Sequence, residues 1–442
     1  MSRQIKLGAF LIPSGHHVGA WRHPDVPADS GLNFPFYKQL AQTAERALFD
    51  AIFVADNVAV TLGQGADKTA RADYFEPLTL MAALSAVTEN IGLICTQTTS
   101  FNEPYHIARK FASLDYLSGG RAGWNLVTSD AAAEATNFGR EEHFNHADRY
   151  ERANEFYEVV TGLWDSWDDD AFVRNKASGQ YFDPEKLHVL NHKGKHFSVS
   201  GPLNVARPIQ GRPVVVQAGS SEAGRSLAAK TADVVFTAHP ALNPAQDFYR
   251  DIKTRAVQHG RDPDSVKIMP GIYVVVGKTE SEAQEKFEQL QHLIDPAAGL
   301  ALLSRMIGNF DLSDYPVDEP LPELPLTETG QRSRQALLTG LAKDGNLTIR
   351  QLYTKIAGGR GHNVVIGTAK TVADVMQEWF EQEAADGFNL LSPSLPNGLT
   401  DFAELVVPEL QARGLFRTAY EGKTLRENLG LSRPVSRYQN TQ

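Results

Sequence analysis

Short apolar runs alternate along this chain with longer segments in which apolar residues recur at helical spacing. The runs are rich in β-branched residues and are bounded by glycine or polar residues, which is typical of buried strands. The predicted strands are Ile5–Ile12, Ala51–Ala55, Ile91–Thr96, Ala122–Thr128, Val214–Ala218, Val234–Thr237, Ile268–Val276 and Phe388–Leu391. Strands that alternate with helices form parallel sheets with helical crossovers. Eight strands is the number of a TIM (β/α)8 barrel, although the pattern alone leaves an open doubly wound sheet as an alternative.

Two segments show the helical period most clearly. Apolar residues on one face predict the first helix: Phe36, Leu40, Ala44, Ala47 and Leu48. The second helix begins at Pro77, in a first turn where proline is tolerated. Its apolar residues are Leu78, Met81, Leu84 and Val87, and Glu89-Asn90 ends it. Both helices lie between predicted strands, as a βαβ arrangement requires.

Two stretches interrupt the alternation and predict long insertions, at about residues 168–213 and 296–367. The first is expected to be a long loop with a small hairpin near Lys193–Phe197. Within the second, the proline-rich, acidic segment Asp311–Leu326 is expected to be either a lid or an outer decoration or subunit contact. We predict one domain, residues 1–442, with these insertions and a C-terminal arm at about 414–442.

Composition narrows the classes of partner. The balance of 43 Lys+Arg against 53 Asp+Glu gives a formal net charge of −10, which opposes binding to nucleic acid or to anionic membranes. No apolar stretch approaches the ~20 residues of a membrane span, and no signal-peptide core is evident, so we expect a cytoplasmic protein. Cys95 is the single cysteine and lies in a predicted strand, where a buried thiol is expected.

Polar residues that follow the strands are the first functional candidates, because barrel active sites lie at the carboxyl ends of strands. After the fifth strand, Gly219, Ser220 and Ser221 lead into a helix. Their amides and hydroxyls, with the positive end of the helix dipole, are suited to binding a phosphate. A serine at a helix start also acts as an N-cap without any ligand, so both interpretations stay open.

Other candidates follow the earlier strands. His146 and Tyr150 are four residues apart, so they share one helix face, either as ligand contacts or as an ordinary side-chain pair. Asp56 follows the second strand and is suited either to accept a hydrogen bond from a cofactor ring or to brace its loop. His17 and His23 follow the first strand and are candidate general acids, or simply solvated histidines.

Some cofactor sites are not predicted. His143 and His146 have a spacing that suits a metal, but no third ligand accompanies them, so we predict no metal site. No Gly-x-Gly-x-x-Gly motif follows a strand, so the chain is not expected to bind NAD(P)H through a Rossmann unit of its own.

Several motifs carry a resemblance to a known family. They include Gly19–Pro24, Phe53–Asp56, Glu103–Arg109, Leu114–Ser129, Asn137–Gly139, Leu163–Trp167, Gly201–Leu203, Gln217–Ser221, Ala384–Phe388 and Thr424–Leu431. With these segments the chain resembles the bacterial-luciferase-like flavin monooxygenases. The similar branch includes nitrilotriacetate monooxygenase component A, dibenzothiophene-sulfone monooxygenase and pristinamycin synthase. The motifs run from near the start to the last dozen residues, so the resemblance covers essentially the whole chain.

The resemblance implies a closed barrel and an enzyme that uses reduced FMN as a co-substrate with dioxygen. It implies a separate NAD(P)H:flavin reductase and oxidation of a small organic sulfur or nitrogen compound, with C–S or C–N cleavage in some cases. Carried over by position, the FMN contacts are Asp56, Thr96, His146, Tyr150 and Ser221, with Ser220 supporting the phosphate.

The family further suggests a homodimer or homotetramer, with Arg417–Leu431 as a candidate subunit contact. Two other hypotheses remain at this point. One is hydride transfer to a deazaflavin on the same barrel, and the other is a non-catalytic flavin-binding protein.

Overall fold

A computed structural model describes residues 3–60, 62–63, 65–129, 131–325 and 332–439. Its strands are β1 (Lys6–Leu11), β2 (Ala51–Val54), β3 (Gly92–Thr98), β4 (Ala122–Val127), β5 (His192–Lys193), β6 (Ser198–Val199), β7 (Val214–Gln217), β8 (Val234–Thr237), β9 (Lys267–Gly277), β10 (Asn363–Thr368) and β11 (Gly387–Leu391). Its α-helices are α1 (Phe34–Arg46), α2 (Pro77–Ser85), α3 (Pro104–Leu117), α4 (Ala132–Thr136), α5 (His146–Trp164), α6 (Glu222–Thr231), α7 (Leu242–Gln258), α8 (Glu280–His292), α9 (Pro296–Met306), α10 (Arg332–Asp344), α11 (Ile349–Ile356), α12 (Ala369–Glu381), α13 (Asn397–Asp401), α14 (Val407–Ala412) and α15 (Leu425–Asn428).

Eight parallel strands close into a barrel. Their order is β9, β11, β1, β2, β3, β4, β7 and β8, and the pairing of β8 with β9 completes the ring. These are the eight strands predicted from the apolar runs, with ends that differ by one or two residues. The closed barrel is therefore confirmed, and the open doubly wound sheet is excluded.

Side chains alternate between the barrel interior and the surrounding helices, as the two-residue period of a strand requires. Ile52 and Val54 of β2 join the large core between the barrel and its helices. Phe53 lies between them in sequence and belongs to a separate cluster with Ile94 and Val216. This second cluster fills the inside of the barrel.

The C-terminal arm closes the amino-terminal end of the barrel. Leu425, Leu429 and Leu431 are buried in the same cluster as the inward side chains of the strands. Arg417 is buried too and forms an ion pair with Asp50, at the start of β2. These side chains pack within their own chain. A contact of the Arg417–Leu431 segment with another subunit stays a prediction.

The long connection from β9 to β11 contains one element that the sequence reading missed. Strand β10 pairs in parallel with the carboxyl-terminal half of β9, from Asn363 opposite Ile272 to Thr368 opposite Gly277. We had included most of this segment in an insertion without strands. The same connection has an apolar cluster of its own, in which α9, α10 and α11 pack together.

Two helix ends also differ from the predictions. Helix α1 ends at Arg46, and Leu48 has a positive φ of 63° outside it. Helix α2 ends at Ser85, before Val87. The predicted hairpin in the first insertion is confirmed by the antiparallel pair β5 and β6.

Two kinds of feature are absent from the described residues. No helix there is both long enough and apolar enough to cross a membrane. No group of three or more His, Cys, Asp and Glu side chains there is arranged to hold a metal ion. Cys95 is buried, as predicted, and its burial raises the pKa of the thiol well above the ordinary value.

Candidate active site

A buried polar pair lies inside the barrel on β3 and β4. The Thr96 hydroxyl donates to the carbonyl of Val54 at 2.9 Å and accepts from Asn125 Nδ2 at 2.8 Å. The two-residue alternation that points Ile94 into the barrel also points the side chains of Thr96 and Asn125 inward, and both residues are buried. Asn125 Oδ1 is buried and has no hydrogen-bond partner among the described residues. A buried acceptor of this kind is costly unless a ligand or water supplies a donor.

Asp56 lies two residues beyond the end of β2. Burial, together with the negative charges of Glu76 and Glu134, raises the pKa of its carboxyl to about 6. The backbone N–H of Asn57 opposes this by donating to Asp56 Oδ1 at 2.9 Å. Asp56 therefore changes its protonation state near neutral pH, as groups in functional sites often do.

A second polar group lies where β7 leads into α6. Ser221 is the N-cap of α6, and its hydroxyl accepts from the N–H of Gly224 at 3.1 Å. The Tyr150 hydroxyl lies 3.4 Å from Ser221 Oγ. A Cβ on Gly219 would lie 2.9 Å from Gly224 Cα, so glycine is required for the turn to approach the helix this closely. The N-cap interpretation of Ser221 is therefore confirmed. The Tyr150 hydroxyl lies beside the same helix amino terminus.

His146 and Ser220 lie around this helix terminus. His146 is the first residue of α5, and its ring centroid is 4.9 Å from that of Tyr150. The side chains of His146 and Ser220 are exposed. The structure thus brings four of the six predicted cofactor residues together at the start of α6: His146, Tyr150, Ser220 and Ser221. The other two, Asp56 and Thr96, lie at the same end of the barrel, by β2 and β3.

The two candidate histidines differ in position. His17 is buried, and its Nδ1 accepts from the N–H of Gly19 at 3.1 Å, so the neutral ring carries its proton on Nε2. Burial lowers the pKa of His17 to about 4, and the positive charge of Arg360 contributes. His17 lines a cavity at the carboxyl-terminal end of the barrel, whereas His23 does not and accepts from the N–H of Asp25 at 3.3 Å. The structure therefore retains His17 alone as a candidate beside the cavity.

This cavity has a volume of about 280 Å³. Three segments form its walls: the loop after β1, the loop after β2, and the β9–β11 connection. Asp311, Leu312 and Ser313, the first residues of the predicted lid segment, line it, whereas Leu326 at the other end lies outside the described residues. The walls also carry Arg71, Arg305 and Arg360, which the sequence reading did not select.

The family model for luciferase-like monooxygenases matches residues 10–386. This match covers most of the barrel and all of the polar groups described above. The chain belongs to the luciferase-like monooxygenase family. The resemblance read from the motifs is confirmed, and close relatives named as monooxygenases support a flavin-dependent monooxygenase.

Similar proteins span nearly the whole chain. An N-acetyl-S-(2-succino)cysteine monooxygenase of Bacillus subtilis is 52% identical over 437 residues, 99% of this chain and 98% of that protein. Nitrilotriacetate monooxygenase component A of Aminobacter aminovorans is 48% identical over 442 residues, 98% of each chain. Among solved structures, a riboflavin lyase with modified FMN and riboflavin has a TM-score of 0.88 and 34% identity, covering 98% of this chain and 97% of its own.

Proposed function

We propose that the protein is the oxygenase component of a two-component system that uses reduced FMN and dioxygen to oxidise a small organic sulfur or nitrogen compound. The observation that carries the proposal is the convergence of Tyr150, Ser221 and the amino terminus of α6 at the barrel end that also holds Asp56 and Asn125. The relatives support it by name, because they include a monooxygenase component A and monooxygenases of sulfur and nitrogen compounds.

The donor set fits a flavin mononucleotide. A phosphate dianion is favoured at a helix amino terminus, where the N–H groups and the helix dipole are positive. Ser221 and Tyr150 would add hydroxyl donors, with His146 and Ser220 beside them. Deeper in the barrel, ring N–H groups would meet the acceptors of Asp56 and the unsatisfied Asn125 Oδ1, and Thr96 would contact the ring edge.

When bound, reduced FMN supplies the two electrons with which one oxygen atom of O2 enters the substrate and the other leaves as water. The chain's own residues position the flavin and exclude water. His17 is held in one tautomer by the N–H of Gly19, which leaves the proton on the buried Nε2. With a pKa of about 4 this imidazole is neutral at physiological pH, and it would act as a hydrogen-bond donor rather than as a cation.

The test supplies the electrons without any nicotinamide. Photoreduced FMN and the protein are mixed anaerobically with candidate thioethers, sulfones and amino acids, and isotopically labelled O2 is then admitted. We expect a product that carries one labelled oxygen atom, formed without NAD(P)H. Oxygen from water in the product, or turnover by this chain alone with NADH and oxidised FMN, would contradict the proposal.

A further inference from the structure

The cavity beside the candidate flavin site has an unusual charge balance. Its lining includes three arginines, Arg71, Arg305 and Arg360, against one carboxylate, Asp311. Asp311 accepts from the N–H of Ser313 at 2.9 Å. In the described part of the chain, no carboxylate lies within ion-pairing distance of the Arg71 or Arg305 guanidinium. Arg71 and Arg305 therefore face the cavity without an ion-paired carboxylate from the described residues.

Arg71 shows the imbalance most clearly. A guanidinium has five N–H donors, and the one acceptor described for Arg71 is the carbonyl of Gly15, 3.3 Å from Nη2. Burial, with a contribution from the nearby positive charge of Arg305, lowers the pKa of Arg71 to about 10. No carboxylate counteracts these effects. Desolvated cations of this kind are costly unless they pair with an anion, so the site is suited to a negatively charged ligand.

Two of the arginines, Arg71 and Arg360, are held by backbone carbonyls. Arg360 Nη2 donates to the carbonyl of His16 at 2.9 Å, and Arg71 is fixed to Gly15, the preceding residue of the same loop. Arg305 extends from α9, which belongs to the connection between β9 and β11. Cations from three separate segments thus meet at one cavity, which suits a ligand with more than one anionic group.

The cavity also adjoins the candidate flavin site. Tyr74 donates to the carbonyl of Asn57 at 2.7 Å. Burial raises the pKa of Tyr74, the negative charge of Asp56 adds to this effect, and the positive charges of Arg305 and Arg71 oppose it. One side chain is therefore within electrostatic reach of both sites. The volume of about 280 Å³ is near the lower end of pockets for small molecules.

We infer that this cavity binds the substrate, that the substrate is a small molecule with at least two carboxylates, and that Arg71 and Arg305 select it. Guanidinium groups bind carboxylates through paired, charge-assisted hydrogen bonds. The apolar walls, including Leu62 and Leu300, would cover the uncharged atoms between the carboxylates. The inference names the substrate class of the oxygenase proposed above and rests on that function.

The test measures binding and does not depend on turnover. Thiodiacetate, iminodiacetate and succinate, each with its dimethyl ester, are titrated calorimetrically into the flavin-free protein and into protein saturated with oxidised FMN. At least one diacid should bind, and its ester should bind roughly 10- to 100-fold more weakly, the ratio expected for losing hydrogen bonds between charged groups. Failure of every diacid to bind better than its ester, with and without FMN, would overturn the inference.

Variants assign the effect to the arginines. Arg71→Gln and Arg305→Gln should each weaken the diacid roughly 10- to 100-fold, whereas Arg71→Lys should retain part of the affinity. Arg250→Gln is the matched control, because Arg250 is exposed on α7 and does not line the cavity. The assignment would be refuted if Arg71→Gln and Arg305→Gln bound the diacid as tightly as the control does. It would also be refuted if these variants lost affinity for FMN and not for the diacid.

The FMN titration of the unmodified protein is read separately. If FMN fails to bind while diacids bind through the arginines, the proposed function fails and the carboxylate site stands.

Discussion

The raised pKa of Asp56 gives a prediction that can be worked through in numbers. The carboxyl has a pKa of about 6 in the folded protein against an ordinary value of 3.8. Because the folded state holds this proton more tightly, the protonated carboxyl contributes stability at low pH that is lost as the pH rises through 6. Between these pKa values the folded chain binds more protons than the unfolded chain, so stability falls with increasing pH.

The substitution Asp56→Asn should remove this penalty, because the amide is neutral at every pH and its oxygen can still accept from the N–H of Asn57. Linkage gives a cost of ionisation of about 1.6 kcal/mol at pH 5 and about 3 kcal/mol at pH 8. The variant's advantage over the unmodified protein should therefore grow by about 1.4 kcal/mol between these pH values. This increase between pH 5 and pH 8 is the quantity to measure, because any effect of the substitution that does not depend on pH cancels in the difference.

Equilibrium urea unfolding of the flavin-free protein, followed by tryptophan fluorescence, measures the difference at each pH. The exposed Asp344 of α10 provides the control substitution Asp344→Asn, which removes one surface carboxylate away from the site. A stability difference for Asp56→Asn that stays constant or shrinks from pH 5 to pH 8, after subtraction of this control, would refute the reasoning.

Two further predictions concern the C-terminal arm. Leu425→Ala should cost about 2–5 kcal/mol of unfolding free energy, because it empties a fully buried position inside the barrel; urea unfolding measures this, and a cost below that of the exposed control Leu117→Ala would contradict it. Arg417→Met should cost about 3–5 kcal/mol, because it leaves the buried Asp50 carboxylate without its ion pair; restoration of stability by adding Asp50→Leu would support this reason, and a neutral single variant would exclude it.

The sequence pattern located the barrel strands well. Runs such as Val214–Gln217 and Gly92–Thr98 are buried on both faces, because the barrel interior and the surrounding helices cover them. Strand β10 has exposed and half-buried positions instead, since it pairs only with the projecting end of β9. Its hydrophobic pattern is therefore weaker, and most of the strand was included in a predicted insertion.

The residues of the candidate site also differ in how well the sequence alone indicates them. Ser221 and Tyr150 were selected because helix starts and four-residue spacings are local features that a sequence displays directly. Arg71, Arg305 and Arg360 come from segments that are distant in sequence, and each alone resembles an ordinary surface arginine. Only the fold shows that they share a cavity. The packing of the C-terminal arm against the barrel interior was not predicted for the same reason, since its apolar residues gave no indication of what they cover.

The central claim is that the hydroxyls at the start of α6 bind the phosphate of FMN. Ser221→Asp tests it, because aspartate is also a good N-cap and so preserves α6 while placing a negative charge where the phosphate would lie. Ser226→Asp is the control, since Ser226 is exposed on the same helix.

The measurement is anaerobic binding of reduced FMN and of reduced riboflavin, which lacks the phosphate, to these variants and the unmodified protein. We predict that Ser221→Asp weakens FMN binding by about 1.5–3 kcal/mol or more and leaves riboflavin binding at the level of the control. Equal losses for the two flavins, or an unchanged affinity for FMN, would contradict the account.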